Sequence, residues 1–174
     1  MVALQKRSLR RLRLIALVTA GLGAYSAHAQ TTGTSAMNVT VKDVLQLTVN
    51  TKIVDLVFGT PDDFNNGVSS TVNNQLTVTS NRPYDLSVKT AGDLSDGKNT
   101  IPVSNITAQT VGSGLGTPKT VTSLSTTDQV LAAAVPPSMS KTITMQYSTA
   151  AKNAAFLVPA ATYTTTLTFT ASAN

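Results

Sequence analysis

Residues 161–171 read Ala161-Thr162-Tyr163-Thr164-Thr165-Thr166-Leu167-Thr168-Phe169-Thr170-Ala171. Side chains of an extended chain alternate between faces. Tyr163, Thr165, Leu167, Phe169 and Ala171 therefore share one side, and Thr164, Thr166, Thr168 and Thr170 the other. β-Branched threonines lose rotamer freedom in a helix but pack well on a pleated surface, which makes this stretch a strand. A strand that is apolar on one face needs a second layer over that face, so the rest of the chain must supply a sheet. The expected fold is all-β, a single β-sandwich of about eight to ten short, mainly antiparallel strands of Ig-like or Greek-key type.

The pattern continues upstream. Lys141 to Ser148 alternates with Ile143, Met145 and Tyr147 on one face. Gln75 to Ser80 and Tyr84 to Val88 keep one even phase through Leu76, Val78, Tyr84, Leu86 and Val88. With Asn81-Arg82-Pro83 between them, the two runs read as a hairpin. Asn73-Asn74 reads as a tight connection from Val68–Val72 into the first of them. Ile53 to Phe58 is expected to be a strand with Val54, Leu56 and Phe58 on one side. It ends in a loop from Gly59 to Gly67 whose Gly, Pro, Asn and Asp suit turns. Met37 to Val49 is expected to be the first strand, with Met37, Val39, Val41, Leu45, Leu47 and Val49 on odd positions and a break at Lys42-Asp43. Asp128 to Val135 fits either a helical turn or an apolar strand. Gly112-x-Gly114-x-Gly116 reads as a plain loop, because a phosphate cradle leads into a helix and here Pro118 and threonine-rich sequence follow.

The first 29 residues carry Lys6, Arg7, Arg10, Arg11 and Arg13, then an apolar run from Leu14 to Gly23, then Ala27-His28-Ala29. This order of basic region, short apolar core and small-x-small site is that of a secretory signal peptide. Residues 1–29 are therefore expected to be removed, leaving 30–174 as the sandwich domain. The expected location is exported: extracellular, cell-surface or periplasmic. Charge follows the same division. All five bases of the first 29 residues belong to the signal, and the eight that remain balance eight aspartates. The alkaline balance of the whole chain thus implies no nucleic-acid partner.

Beyond residue 29 the chain contains no His, Cys, Glu or Trp. The common general bases, activated nucleophiles and soft metal ligands are missing with them, so no enzyme, no cofactor and no metal site are expected. Asp62, Asp63 and Asn65, and Asp93, Asp96 and Asn99, could offer oxygens to calcium, but neither cluster has the spacing of a calcium loop with its closing Glu. Both read as Asx turns.

Two stretches carry a resemblance. Pro83-Tyr84-Asp85-Leu86-Ser87-Val88 and Thr166-Leu167-Thr168-Phe169-Thr170-Ala171 resemble the two aromatic motifs of WxL-type bacterial surface domains. Tyr84 and Phe169 stand where that family has tryptophan, and Ala171 where it has leucine. The resemblance implies an extracellular β-sandwich held noncovalently to the cell wall or to other surface proteins, with Tyr84, Asp85, Leu86 and Phe169 as candidate ligand-binding residues. The expected function is that of an exported, noncatalytic structural or adhesion protein. Its expected partners are cell-envelope polysaccharide or other surface proteins, with no membrane span in the mature chain and homo-oligomerisation left open. Two alternatives are a carbohydrate-binding module that stacks Tyr84, Tyr147 or Tyr163 on a glycan, and a pilin-like subunit that uses Met37 to Val49 in strand exchange.

Overall fold

The computed structural model describes residues 30–174; the expected signal peptide, residues 1–29, lies outside the described residues. The chain divides into two units, Met1–Thr40 and Val41–Asn174. In the first, residues 30–40 form no helix or strand and every side chain is exposed. The second is the sandwich.

Its strands are β1 (Leu45–Val49), β2 (Ser69–Ser80), β3 (Tyr84–Thr90), β4 (Leu94–Ser95), β5 (Thr100–Ile101), β6 (Ile106–Val111), β7 (Thr117–Pro118), β8 (Thr120–Val121), β9 (Gln129–Val135), β10 (Ser138–Thr149) and β11 (Leu167–Ala173). One antiparallel sheet has the order β1-β2-β10-β6-β8 and the other β11-β3-β9-β7, while β4 and β5 form a small ribbon. The core is the product of alternation. Leu76, Val78, Ile143, Met145 and Ala108 from the first sheet and Tyr84, Leu86, Val88, Leu131 and Val135 from the second are completely buried. A continuous apolar layer between two sheets is the driving force of such a fold.

Several sequence expectations are corrected. The hairpin of Gln75–Ser80 with Tyr84–Val88 does not form, because β2 and β3 belong to different sheets. Asn81-Arg82-Pro83 carries the chain from one layer to the other, and Ser80 Oγ accepts the Arg82 N–H (3.1 Å) and donates to the Arg82 carbonyl (2.7 Å) at the crossing. A shared inward phase is equally what two strands facing each other across a core require, so periodicity could not distinguish the arrangements. Ile53–Phe58 is extended but joins no strand. The first strand begins at Leu45, not at Met37. Gly59–Gly67 contains a short helix, α1 (Pro61–Asn66). Thr60 caps it, and Asp63 Oδ2 accepts the N–H groups of Gly59 (2.9 Å) and Thr60 (2.8 Å), a reciprocal capping box. Asp128–Val135 resolves as the strand β9.

Asn73-Asn74 is not a turn but a bulge within β2, where Asn74 has φ 51°. Ala134 in β9 (φ 51°) and Ser140 in β10 (φ 54°) mark two further register shifts. A bulge leaves its extra residue outside the ladder. In all three the orphaned N–H is taken up by an outward side chain on the adjacent strand. Asn74 donates to Thr144 Oγ1 (3.2 Å), Ala134 to Asp85 Oδ1 (2.8 Å) and Ser140 to Thr79 Oγ1 (3.0 Å). Part of the outward polar rows is thus committed to satisfying strained backbone.

These bonds make stability depend on acid. Asp63 is held below its ordinary 3.8 chiefly by the Gly59 N–H, Asp85 by the Asn174 amide and then the Ala134 N–H, and Asp96 by the N–H groups of Asn99 and Lys98. A carboxylate whose folded pKa is depressed stabilises the fold above the unfolded value of 3.8, and that contribution is lost as pH falls through the lower folded value. Melting temperature is therefore expected to change little from neutrality down to about pH 5 and to fall below about pH 4. The combined Asp63→Asn, Asp85→Asn, Asp96→Asn variant should show a shallower acid limb in thermal melts followed by circular dichroism. An acid limb identical to that of the parent would contradict this account.

Candidate functional site: an open apolar cleft

Along one side of the sandwich the core is open. β1 and β11 are the outer strands of their sheets on the same side of the sandwich and lie near each other without hydrogen bonding. Beyond Val49 the chain leaves the ladder as the extended run Thr51–Phe58, and ahead of Leu167 it arrives as the run Ala160–Thr166. Between these runs opens a cleft of about 840 Å³. Val54, Leu56 and Phe58 line one wall and Tyr163, Leu167 and Phe169 the other, over a floor that includes Ile101, Ile106 and Leu124. The wall residues alternate inward as strand residues do, yet each is only half-buried, whereas Leu76, Leu86, Val88 and Ile143 are at 0% exposure.

The cleft is built, not collapsed. At one end Phe58 stacks on Phe156 with ring centroids 4.6 Å apart and lies 5.1 Å from Phe64 of α1. At the start of the first wall, buried Tyr147 donates to Gln75 Oε1 at 2.8 Å, and the Gln75 amide reaches the Thr51 carbonyl at 3.5 Å. Burial, partly offset by the Gln75 bond, raises the Tyr147 hydroxyl far above its ordinary pKa, so it remains a neutral donor. On the second wall Tyr163 donates its hydroxyl to the Pro159 carbonyl at 2.9 Å. This arrangement supplies apolar contact and backbone hydrogen-bonding groups. The walls and floor present no cluster of carboxylates at one point.

The residues singled out from sequence fall as follows. Tyr84, Leu86 and Phe169 come together on the β3–β11 ladder, where Tyr84 opposes Ala173, Leu86 opposes Ala171 and Val88 opposes Phe169. Tyr84 and Leu86 are completely buried, so neither offers a face to a ligand as the protein stands. Phe169 is half-buried in the cleft. Asp85 points outward, with Oδ1 taking the Ala134 N–H and the Asn174 amide (2.8 and 2.9 Å). Of the three tyrosines considered for glycan stacking, Tyr84 and Tyr147 are buried in the core and only Tyr163 is half-exposed. Three aspartates of the Asp-Asn clusters are engaged locally: Asp63 Oδ2 in the α1 cap, Asp96 Oδ1 in a turn with the Lys98 and Asn99 N–H groups, and Asp93 Oδ1 with the more distant Val103 N–H. Among the described residues no three His, Cys, Asp or Glu side chains gather at one point, and no helix is long and apolar enough to cross a membrane. Gly116 (φ 61°) lies against the Ala133 carbonyl, so this glycine of the 112–116 loop serves close packing on β9.

Sequence reasoning identified both wall rows as alternating runs but not that the first has no ladder partner and the second is paired on one side only. Gln75 and the Phe58–Phe64–Phe156 cluster were missed. The capping pattern Thr60-Pro61-Asp62-Asp63 was the available signal for α1, and so for Phe64. No protein-family model matches the chain, and no curated protein matches it.

Proposed function

We propose that the protein is an exported, noncatalytic β-sandwich that works by association at the cell surface, with envelope polysaccharide or other surface proteins as partners. The observation that carries this reading is the open side of the core, where two rows of inward apolar residues stay half-exposed beside a fully sealed interior. Apolar surface left uncovered in this way marks an interaction site. The reading is supported by the signal-like order of residues 1–29 and by the balanced charge of the remainder. It is further supported by the absence of His, Cys and Glu beyond residue 29, which leaves few groups able to transform a ligand. The resemblance to WxL-type domains points the same way, and its two motifs lie on adjacent strands.

The test is co-sedimentation of the exported protein with envelope fractions of its source cells. The protein is expected in the envelope pellet and should stay there in high salt, because burial of apolar surface is not screened as charge pairs are. A protein that remains in the supernatant and shows no self-association at any concentration would sink the proposal.

A further inference from the structure

We propose that the cleft is an acceptor for a strand from a second copy of the same protein, donated by residues 35–41. This rests on the reading of the protein as an association module and names its partner.

The acceptor side is written in the backbone. Among the described residues, no backbone group of Lys52–Phe58 takes part in a hydrogen bond to another backbone group. On the opposite wall Thr164 exchanges bonds with Ser95, and the Thr166 carbonyl accepts from Ala91, while the alternate residues Tyr163 and Thr165 make no such bond. Alternate residues of an antiparallel edge aim their N–H and C=O groups to opposite sides, so Tyr163 and Thr165 present theirs away from the Ser95 side. Two extended edges with spare backbone groups, flanking an apolar floor, are the template that an added strand completes.

The donor side is in residues 35–41. Met37, Val39 and Val41 are 88%, 79% and 78% exposed, and Asn38 and Thr40 separate them. This is a strand pattern without a sheet. The sequence expectation extended the donor to Val49, but Leu45–Val49 is already paired with Leu76–Ser80 as β1, so the free portion ends before the residues that anchor it. That anchor is specific. Asn81 donates to the Lys42 carbonyl (2.8 Å) and its Oδ1 accepts the Val44 N–H (2.9 Å), while Arg82 bridges Asp43 and the Asn174 carbonyl, each at 2.8 Å.

Chain length selects a second copy over self-closure. The anchor sits at the Leu45 end of β1, whereas the cleft begins beyond Val49, so residues doubling back from the anchor must first run the length of β1. At about 3.3 Å per residue, Val41 to Met37 would be used up along β1. With residues 1–29 removed on export, only Gln30–Ala36, with no large apolar side chain, would be left to enter the chain's own cleft. The same row supplied by a neighbour meets no such limit.

The experiment uses the exported protein, a Val39→Asp variant and a Leu56→Asp variant in sedimentation velocity across a concentration series. The parent is expected to form a ladder of oligomers, and each variant alone to be monomeric. An equimolar mixture should give one-to-one dimers, since the intact arm of Leu56→Asp can enter the intact cleft of Val39→Asp. Because Leu56→Asp could fail to fold, a synthetic peptide of residues 35–43 is added to Val39→Asp as a second measurement. It should bind and raise the melting temperature with peptide concentration, and the same peptide carrying Val39→Asp should not. Each of four results overturns strand donation: a parent that is monomeric throughout, a Val39→Asp protein that still forms the ladder, a peptide that does not bind, or equal binding by the charged peptide. A monomeric parent that still pellets with envelopes removes the donated strand and leaves the proposed function standing. Failure in both assays removes both.

Discussion

Tyr84→Ala is expected to cost about 3–5 kcal/mol of folding stability, the range for removing a buried aromatic ring. The ring has no exposed surface, and Tyr84 lies between Ala173 of β11 and Val135 of β9 in the centre of its sheet. Set against a total of roughly 5–15 kcal/mol for a natural domain, that loss is a large fraction of what holds the sandwich together. Tyr84→Phe should behave in the opposite sense. The Tyr84 hydroxyl is buried without a protein partner, and burial raises its pKa. Removing an unpaired buried hydroxyl is therefore expected to be neutral or to stabilise by about 1 kcal/mol. Tyr147→Phe supplies the contrast, because it would strand Gln75 Oε1 and is expected to destabilise by about 1–3 kcal/mol. Urea denaturation of the three variants measures all of this. Equal losses for both Tyr→Phe changes, or an unchanged midpoint for Tyr84→Ala, would refute the assignment of Tyr84 as a core residue.

What could be read from sequence was the facing of side chains. Residues 163–171 alternate between half-buried and exposed in the phase that Tyr163, Leu167 and Phe169 announce. Ile143, Met145 and Tyr147 face inward as their spacing requires. What could not be read was the identity of neighbours. Inward phase is local, fixed by a period of two along the chain, whereas ladder partners are fixed by residues far away in sequence. Thus β2 and β3, in phase across three residues, became opposite layers instead of a hairpin. For the same reason the cleft was invisible. Val54, Leu56 and Phe58 have a strand's pattern, and nothing in that pattern records that the place beside them is open. Asn74 shows a second limit: the tolerance of Asn for positive φ serves a bulge as well as a turn, so residue type alone fits both. α1 shows a third. Its six residues have no apolar repeat of their own, and the helix is held by the Thr60–Asp63 cap.

The cleft's far end depends on one glycine, and its substitution carries the second large effect. Gly67 follows α1 with φ 77° and ψ 170°, a region that glycine alone occupies readily. A Cβ there would also collide with the Thr149 carbonyl and press on Ala150. Both partners are backbone at the end of β10, so no side chain can swing aside. Gly67→Ala is therefore expected to cost more than the roughly 1–3 kcal/mol of conformational strain alone. Gly67→Asn should be no better, because Asn relieves left-handed helical backbone and not this conformation. The damage should be directional. α1 is tied to the turn after β10 by the Lys152 N–H donating to the Phe64 carbonyl at 2.9 Å, and Phe64 in turn supports Phe58 against Phe156. A chain forced out of this conformation must move α1, and with it the Phe58 end of the cleft wall, before it disturbs Leu76 or Leu86 in the sealed core. Hydrogen exchange should thus show the hydrogen-bonded amides of Gly59, Thr60, Asp63 and Lys152 losing protection in Gly67→Ala ahead of those of β3 and β10, together with a lower denaturation midpoint. A variant as stable as the parent, or one that loosens uniformly, would mean that the cleft wall does not rest on Gly67.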